Sequence, residues 1–260
     1  MAAAHRVRAL ALKKTKLGET DLIVTFLARD GSQVRAVAKG ARKPGSRIGG
    51  RVEPLSVVDM LLYPGRSLYT ITEVELVSAH APLREDLDRA MAAAVVADFL
   101  DKVSVEEQGE ERLFGLAVAT LDAMDRAEGD TLLALLTAFL LKGIAMHGYR
   151  PQFSACVGCG EPVGGPGSSA PMRFSLEYGG PLCGACEAEG AAGASGQVVR
   201  LSAGAWSALG ALMSARMAEL SGLEIPGDVL AESFSAMRAY VVYHVPARMK
   251  ALAMYAAGVA

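Results

Sequence analysis

Hydrophobic and polar residues alternate with a period of two over most of the first 80 positions, and turn residues interrupt this alternation at regular intervals. Such a pattern is typical of half-buried β-strands. It predicts five strands, at residues 5–14, 20–29, 32–39, 52–63 and 68–78. Asp30-Gly31 predicts a tight hairpin between the second and third strands, and Pro64-Gly65 predicts a turn before the fifth. Five short antiparallel strands favour a small barrel, of either the OB-fold or the SH3-like type.

After His80 the hydrophobic period becomes helical. Every fourth residue from Leu83 to Val103 is apolar, which predicts a helix with a buried stripe: Leu83, Leu87, Met91, Val95, Phe99 and Val103. Further helices are predicted at 110–127, 130–148, 202–221 and 227–257, the last with a kink at Pro246. The apolar run from Thr131 to Leu141 is about half as long as a bilayer-spanning helix, so we expect a buried core helix there.

These patterns predict an α+β protein with two domains. We expect a barrel over residues 1–80 and an all-α domain over 81–260, with an insertion at 150–200 that is rich in Gly, Pro and Ser. Slightly more than half of the residues are apolar, which is enough to form real cores and argues against disorder.

All four cysteines lie in that insertion, as two C-x-x-C pairs: Cys156 and Cys159, then Cys183 and Cys186. Two such pairs form knuckles that supply four thiolates to one tetrahedral zinc ion. The predicted hairpin M-R-F-S-L-E-Y-G-G-P-L, which turns at Gly179-Gly180, would bring the second knuckle beside the first. We therefore expect one structural Zn²⁺ per chain. Structural disulfides, a metal-free vestige and a redox pair stay open as alternatives, although no secretory or βαβ context favours them.

Charge divides the chain into two parts. Residues 1–80 carry 13 Lys or Arg against 7 Asp or Glu, whereas residues 81–260 carry 13 against 21. Five cations lie on one glycine-rich stretch that has no acid, A-K-G-A-R-K-P-G-S-R-I-G-G-R from Ala38 to Arg51: Lys39, Arg42, Lys43, Arg47 and Arg51. A basic module joined to an acidic domain suggests that the N-terminal part binds a polyanion. A solvated charged face is the alternative.

No phosphate-binding glycine loop, nucleophile elbow or histidine-based metal motif occurs in the sequence. His5, His80, His147 and His244 are scattered, and four cysteines would leave a metal no open position. We therefore expect a binding protein and not an enzyme. The start of the chain lacks the apolar segment of a signal peptide, which predicts a cytoplasmic protein without a membrane partner.

The order of a basic barrel, a helical domain and an inserted four-cysteine element resembles the bacterial RecO family of recombination mediators. Five strings carry the resemblance: G-E-T-D-L-I-V-T-F-L from Gly18, A-V-A-K-G-A-R-K-P-G-S-R from Ala36, T-E-V-E-L-V from Thr72, P-L-R-E-D-L from Pro82 and L-K-G-I-A-M-H-G-Y-R-P from Leu141. It extends over essentially the whole chain. One departure is the C-terminal third, which is unusually rich in Ala and Met, so no partner-binding pocket there can be matched residue by residue.

The resemblance implies an OB-fold, no catalytic site, and binding of single- and double-stranded DNA with annealing of complementary strands. It also implies contact with the single-stranded-DNA-binding protein SSB and joint action with RecR in loading RecA, which would place the protein at the nucleoid. Arg248 and Lys250 are candidates for binding the acidic C-terminal tail of SSB. A solvated helix end is the alternative for these two residues.

We expect the DNA phosphates to meet the five cations of the basic stretch, and four further cations to extend that surface: Lys13, Lys14, Lys16 and Arg35. Aromatic residues suited to base stacking are sparse in the barrel, because Phe26 fits its core and only Tyr63 and Tyr69 fit an exposed position. Binding should therefore tolerate any sequence. An RNA- or ribosome-associated OB-fold protein and a metal-dependent nuclease are the competing functional hypotheses.

Overall fold

The computed structural model describes residues 4–163, 171–188 and 197–259. The chain divides into two compact units, Met1–Arg126 and Ala127–Ala260. The first unit contains the predicted barrel and also the first helices that follow it. The predicted domain boundary between residues 80 and 81 stays a prediction.

The first unit is built on a closed five-stranded barrel, as the alternation in the sequence predicts. Its strands are β1 (His5–Leu17), β2 (Asp21–Ala28), β3 (Gln33–Ala38), β4 (Val57–Tyr63) and β5 (Tyr69–Ser78), in the order β1-β2-β3-β5-β4 around the barrel. Only β3 and β5 are parallel, and Asp30-Gly31 forms the turn between β2 and β3 with Gly31 at φ +85°. This is an OB-like barrel, and Phe26 lies fully buried in its core.

Two strand boundaries differ from the prediction by three residues or more, and the others differ by at most one residue. β1 extends to Leu17 through an irregularity in its pairing between Ala11 and Lys13. Lys13, Lys14 and Lys16 therefore lie on the strand itself. The predicted strand over 52–63 starts only at Val57. Pro54 cannot donate a ladder hydrogen bond, and Leu55 has a left-handed φ of +73°, so the preceding residues form a loop whose apolar side chains still reach the core.

Helices α1 (Pro82–Glu85), α2 (Leu87–Val103) and α3 (Glu111–Met124) complete the first unit. α2 packs on β1 and β2, and α3 packs on β1. The predicted stripe is wrong at Leu87, which is 74% exposed. Residues spaced by four drift about 40° per step around a helix, so six of them cannot share one face. In addition, Asp86 ends α1 and caps α2 by accepting a hydrogen bond from the Arg89 amide at 2.9 Å.

The second unit packs helices around the central helix α4 (Asp130–Met146), which carries the apolar run and is almost entirely buried. The run is thus a core helix, as predicted, and no helix in the described part of the chain is both long and apolar enough to span a membrane. After α4 come β6 (Met172–Ser175), β7 (Gly180–Leu182), α5 (Gly184–Ala188) and β8 (Val198–Leu201), with the three strands in one antiparallel sheet ordered β7-β6-β8.

The remaining helices are shorter than predicted. The segment 202–221 divides into α6 (Ala203–Ser214) and a 3₁₀ helix at Met217–Gly222, and the segment 227–257 divides into α7 (Gly227–His244) and α8 (Lys250–Val259). The break after α7 is a full interruption and not a kink. Val245 precedes Pro246, and the proline ring disfavours helical dihedrals at that position, so Val245 is extended at φ −103° and ψ 99°.

Candidate nucleic-acid interface and metal centre

The two cysteine knuckles meet in the second unit. Cys156 and Cys159 lie on a tight turn closed by the amide of Gly160, which donates to the Cys156 carbonyl at 2.9 Å with Gly160 at φ +78°. The hairpin of β6 and β7 ends directly before Cys183, and Cys186 follows on α5. The hairpin therefore brings the second knuckle to the first, as the sequence predicts, and the four Sγ atoms lie within 4.8 Å of one another.

The spacing of the sulfur atoms fits a tetrahedral ion. Four thiolates at a Zn–S distance of about 2.3 Å place neighbouring sulfur atoms about 3.8 Å apart. The Sγ atoms of Cys159 and Cys183 are 3.8 Å apart. The amides of Gly158 and Cys183 point at the sulfur of Cys156, at 3.4 and 3.3 Å, and favour its thiolate form. The donor set and its spacing thus suit a closed, structural metal site.

The thiols also influence one another. Burial disfavours a thiolate at Cys156, but the amides of Cys183, Cys159 and Gly158 outweigh it and lower the pKa of Cys156 to about 6. At Cys186, the hydrogen-bonded sulfur of Cys183 and then that of Cys159 raise the pKa. The four groups cannot all ionise side by side unless a cation compensates their charge, so the cluster is electrostatically suited to a divalent metal.

The basic stretch forms part of a structured cap at one end of the barrel. We call residues 39–56 the basic loop. Ala41 and Val52 are buried in the barrel core and Ile48 packs against it, so these apolar side chains anchor the loop to the barrel. Gly49 approaches the Ala41 carbonyl so closely that a Cβ would lie 2.1 Å from its oxygen. A glycine is therefore required at position 49, where the loop backbone approaches itself closely. Because the loop also packs on the core, it is less flexible than its glycine-rich sequence suggests.

Two arginines of the basic loop hold it in place. Arg42 donates from Nη1 to the carbonyls of Gly18 and Glu19 at 3.1 and 2.8 Å. Arg51 donates from Nη1 to the Val74 carbonyl at 2.6 Å. These guanidinium groups have structural partners, which reduces what they can offer to a ligand.

Two of the lysines on β1 have acidic partners. Lys13 lies 3.6 Å from an oxygen of Asp101, and Lys14 forms an ion pair with Glu53. The other five predicted cations have no such bond within the part of the chain that the structure describes: Lys16, Arg35, Lys39, Lys43 and Arg47. Of these five, Lys39, Lys43 and Arg47 lie together on the exposed surface of the basic loop.

Arg35 lies apart from the loop and lines a cleft of about 820 Å³. The strand register places this cleft at the barrel end where β1 begins and β2 ends, opposite to the basic loop. Further cations and an aromatic ring line it: Arg6, Arg8, Arg29 and Tyr69. Sequence reasoning missed these arginines, although the alternation along β1 and the predicted Asp30-Gly31 hairpin would have grouped them.

The cleft is not uniformly basic. The Arg8 guanidinium meets both oxygens of Asp59 on the adjacent strand β4, at 2.8 and 2.7 Å, and Arg6 bonds to Glu73 on β5 at 3.3 Å. Five acids line the cleft in all: Asp30, Asp59, Glu106, Glu107 and Glu111. The cleft therefore attracts a polyanion less than the basic loop does.

His80 lies beside two aspartates, Asp122 and Asp125, and the sequence did not predict this contact. Its Nδ1 lies 2.7 Å from Oδ2 of Asp125 and 3.9 Å from Oδ1 of Asp122, and its side chain is fully buried. The left-handed φ of His80, +46°, marks the turn from β5 into α1. A separation of 2.7 Å is that of a hydrogen bond, so this pair stabilises the junction between barrel and helices.

The candidate cations for an acidic peptide lie where α8 begins. Arg248 is in the connection after α7, and Lys250 is the first residue of α8, and both are exposed. They therefore lie at the N-terminal end of that helix. The helix dipole disfavours cations there, so these two residues have no role in capping α8.

Comparison with known proteins agrees with this architecture. The family model described as "Recombination protein O N terminal" matches residues 1–80, and "Recombination protein O C terminal" matches residues 84–253. The chain is 33% identical over 249 residues to the DNA repair protein RecO of Symbiobacterium thermophilum, covering 95% of each chain. It is 35% identical over 254 residues to that of Nocardioides sp., covering 96% of this chain and 98% of the relative. It is 39% identical over 216 residues to that of Frankia casuarinae, covering 81% and 85%. The chain therefore belongs to the RecO family of DNA repair proteins.

Proposed function

We propose that the protein is a non-catalytic recombination mediator. It binds single- and double-stranded DNA, anneals complementary strands and, together with RecR, helps to load RecA onto SSB-coated DNA. The observation that carries this proposal is the basic loop, on which Lys39, Lys43 and Arg47 are exposed and form no ion pair or side-chain hydrogen bond in the described chain. Lys39 and Lys43 do act on Asp21, whose pKa is lowered mainly by hydrogen bonds from Gly40 and Thr20 and to a lesser degree by these two lysines. Exposed cations on this structured loop can bind DNA phosphates, and such contacts do not depend on the base sequence.

The proposed DNA interface has two grades of contact. Direct phosphate contacts come from the cations that form no ion pair or side-chain hydrogen bond in the described part of the chain: Lys16, Arg35, Lys39, Lys43 and Arg47. The other four cations hold the loop or share their charge with acids, and they contribute mainly through the field around the barrel: Lys13, Lys14, Arg42 and Arg51. From the sequence alone, all nine cations would be expected to contribute equally to phosphate binding; their contacts in the structure divide them into these two groups.

We further propose that the metal is Zn²⁺, one ion per chain, and that its role is structural. The four thiolates of Cys156, Cys159, Cys183 and Cys186 close the coordination shell, so no position is left for a substrate. The ion would tie the turn after α4 to the β6–β7 hairpin and so stabilise the second unit.

The second unit is the proposed partner-binding part. An acidic tail peptide of SSB would need a local cationic site, and Arg248 and Lys250 provide two exposed cations close together in sequence. RecR and, indirectly, RecA are the further proposed partners. A protein with these ligands works in the cytoplasm, at the nucleoid.

Annealing of SSB-coated complementary strands tests the proposed function. The full chain should accelerate pairing of two labelled strands in the presence of SSB, and RecR should then support RecA filament formation on the same DNA. An RNA- or ribosome-associated protein would instead prefer RNA and leave SSB-coated DNA unpaired. Incubation with Mg²⁺ and labelled DNA tests the nuclease alternative, and persistent cleavage by clean protein would refute the non-catalytic assignment.

A further inference from the structure

A row of aromatic rings lies on the surface of the second unit, outside the barrel and outside the cysteine cluster. The ring of Tyr149 stacks on that of His244 with centroids 4.1 Å apart and an interplanar angle of 27°. His147 adjoins Tyr149 at 5.9 Å, and Tyr243 meets His244 edge-on at 5.0 Å. We call these four residues the aromatic platform.

The platform is held in position by buried contacts. Nε2 of His244 donates to the Leu176 carbonyl at 2.7 Å, and the edge of the buried Tyr240 packs on the His244 ring at 4.5 Å. The hydroxyl of Tyr240 donates to the Tyr149 carbonyl at 3.4 Å. Burial lowers the pKa of both His147 and His244, which keeps both imidazoles neutral near physiological pH. The rings are therefore prearranged and uncharged.

The platform is also accessible. Tyr149 is 41% exposed and Tyr243 is 42% exposed, although rings of this size bury much more area when they serve a core. A single exposed tyrosine needs no explanation. Four rings that contact one another in a row, with two of them about two fifths exposed, form a surface that a ligand can reach.

A cation stands beside the platform. Arg150 directly follows Tyr149, is exposed and makes no ion pair or side-chain hydrogen bond within the described ranges. It lies near enough to Lys142 to contribute, after burial, to a lowered pKa of that lysine. Arg150 therefore places an exposed cation directly next to the exposed tyrosine in the chain.

We propose that the aromatic platform binds unpaired bases of single-stranded DNA by stacking, while Arg150 contacts a flanking phosphate. The ligand class rests on the proposed function, but the site lies on the second unit and is separate from the basic loop. Every base has a π-face, so such stacking is tolerant of sequence, whereas bases paired in a duplex do not offer that face. The platform therefore distinguishes single strands from duplex, which cations alone cannot do. A strand held in this way presents its bases unpaired to an incoming complement.

The variant Tyr149→Ala in the full chain tests the proposal, with Tyr149→Phe as the conservative counterpart. Binding is measured by fluorescence anisotropy on a single strand and on a duplex of equal length, across a salt series. Tyr149→Ala should weaken single-strand binding about tenfold, because a base stacked on an aromatic ring contributes on that scale. Duplex affinity and salt slope should stay unchanged, and Tyr149→Phe should bind as the wild type does.

A matched control and a direct readout complete the test. Tyr178 is 51% exposed in the same unit and has no ring contact in the described chain, so Tyr178→Ala should leave affinity unchanged. A 2-aminopurine base in the strand should change its fluorescence on binding to the wild type and not on binding to Tyr149→Ala. Thermal melting confirms that each variant is folded.

Three results would overturn the proposal: wild-type single-strand binding by Tyr149→Ala, an equal loss on duplex, or an equal loss in Tyr178→Ala. If Tyr149→Ala lost an acidic tail peptide while its DNA binding was unchanged, the surface would instead be a peptide site. Neutralising the basic loop should alter the salt slope but preserve the 2-aminopurine signal at low salt. Failure of the loop proposal is therefore distinguishable from failure of this one.

Discussion

Removing the three exposed cations of the basic loop that form no ion pair among the described residues, Lys39, Lys43 and Arg47, should flatten the salt dependence of DNA binding by a defined amount. Each lysine or arginine that neutralises a phosphate of single-stranded DNA contributes roughly 0.7 to the slope of log affinity against log salt. Nine equivalent cations would give a slope of about −6, whereas the five that form no ion pair or side-chain hydrogen bond among the described residues give about −3.5. The triple variant Lys39→Gln, Lys43→Gln, Arg47→Gln should therefore lower the slope by about 2. A slope change of about 2 means that, between 50 and 200 mM salt, the wild type should lose roughly 16-fold more affinity than the triple variant does.

The assay is anisotropy titration of a labelled single strand at four or more salt concentrations, with the slope as the readout. Arg112→Gln is the matched control, because this exposed guanidinium already pairs with Glu110, at 2.8 Å, on α3. It should leave the slope unchanged. Arg42→Gln is informative in another way, since it releases the loop from the Gly18 and Glu19 carbonyls and should lower the melting temperature as well as the affinity.

An unchanged slope in the triple variant would refute the reasoning and leave the loop as a charged surface that has no DNA role. A slope reduced by about 0.7 in Arg112→Gln, the share of one charge, would show that overall charge, and not the loop, governs binding. If the wild-type slope were near −6, the cations that hold the loop would have to exchange their present partners for phosphates, contrary to the grading proposed above.

Two further predictions concern the second unit. Cys159→Ser should lose the metal in elemental analysis and lower the melting temperature without affecting any reaction, and a chelator should reproduce this in the wild type; full metal content in the variant would contradict the assignment. Gly179→Ala should destabilise the unit by about 2–4 kcal/mol in urea unfolding, because φ is +65° there and the new Cβ would lie 2.3 Å from the Tyr240 hydroxyl. Gly148→Ala, at φ +103° in open space, carries only the backbone strain and should cost about 1–2 kcal/mol; equal losses in the two variants would contradict the clash.

The sequence predicted what depends on local chemistry. Period-two alternation with Asp30-Gly31 between two strands was sufficient for the barrel, and paired knuckles with a hairpin between them were sufficient for the cysteine cluster. In both cases neighbouring residues determine the geometry, so a one-dimensional pattern contains it. The predicted helix stripe was wrong at Leu87 because spacing alone does not show where a face turns away from the core.

Contacts between residues far apart in the sequence could not be predicted from local patterns. The aromatic platform joins the segment after α4 to the end of α7, and the buried pair of His80 and Asp125 joins a strand end to the end of α3. No spacing rule connects such positions. Only a known fold, with α4 packed on α7, brings Tyr149 and His244 together.

The basic loop shows why a count of charges overestimates a binding site. A guanidinium has five donors in a rigid plane and can bridge two carbonyls, as Arg42 does, whereas an ammonium on a flexible stem is a mobile point charge. In the basic loop, Arg42 and Arg51 hold the backbone through carbonyl oxygens, whereas Lys39, Lys43 and Arg47 make no such bond in the described part of the chain and stay available to a ligand. The slope measured for single strands should follow the second group. The fold therefore uses two of the loop's five cations to hold the backbone and leaves three exposed, and that division depends on which guanidinium lies beside a backbone carbonyl, which a net charge does not reveal.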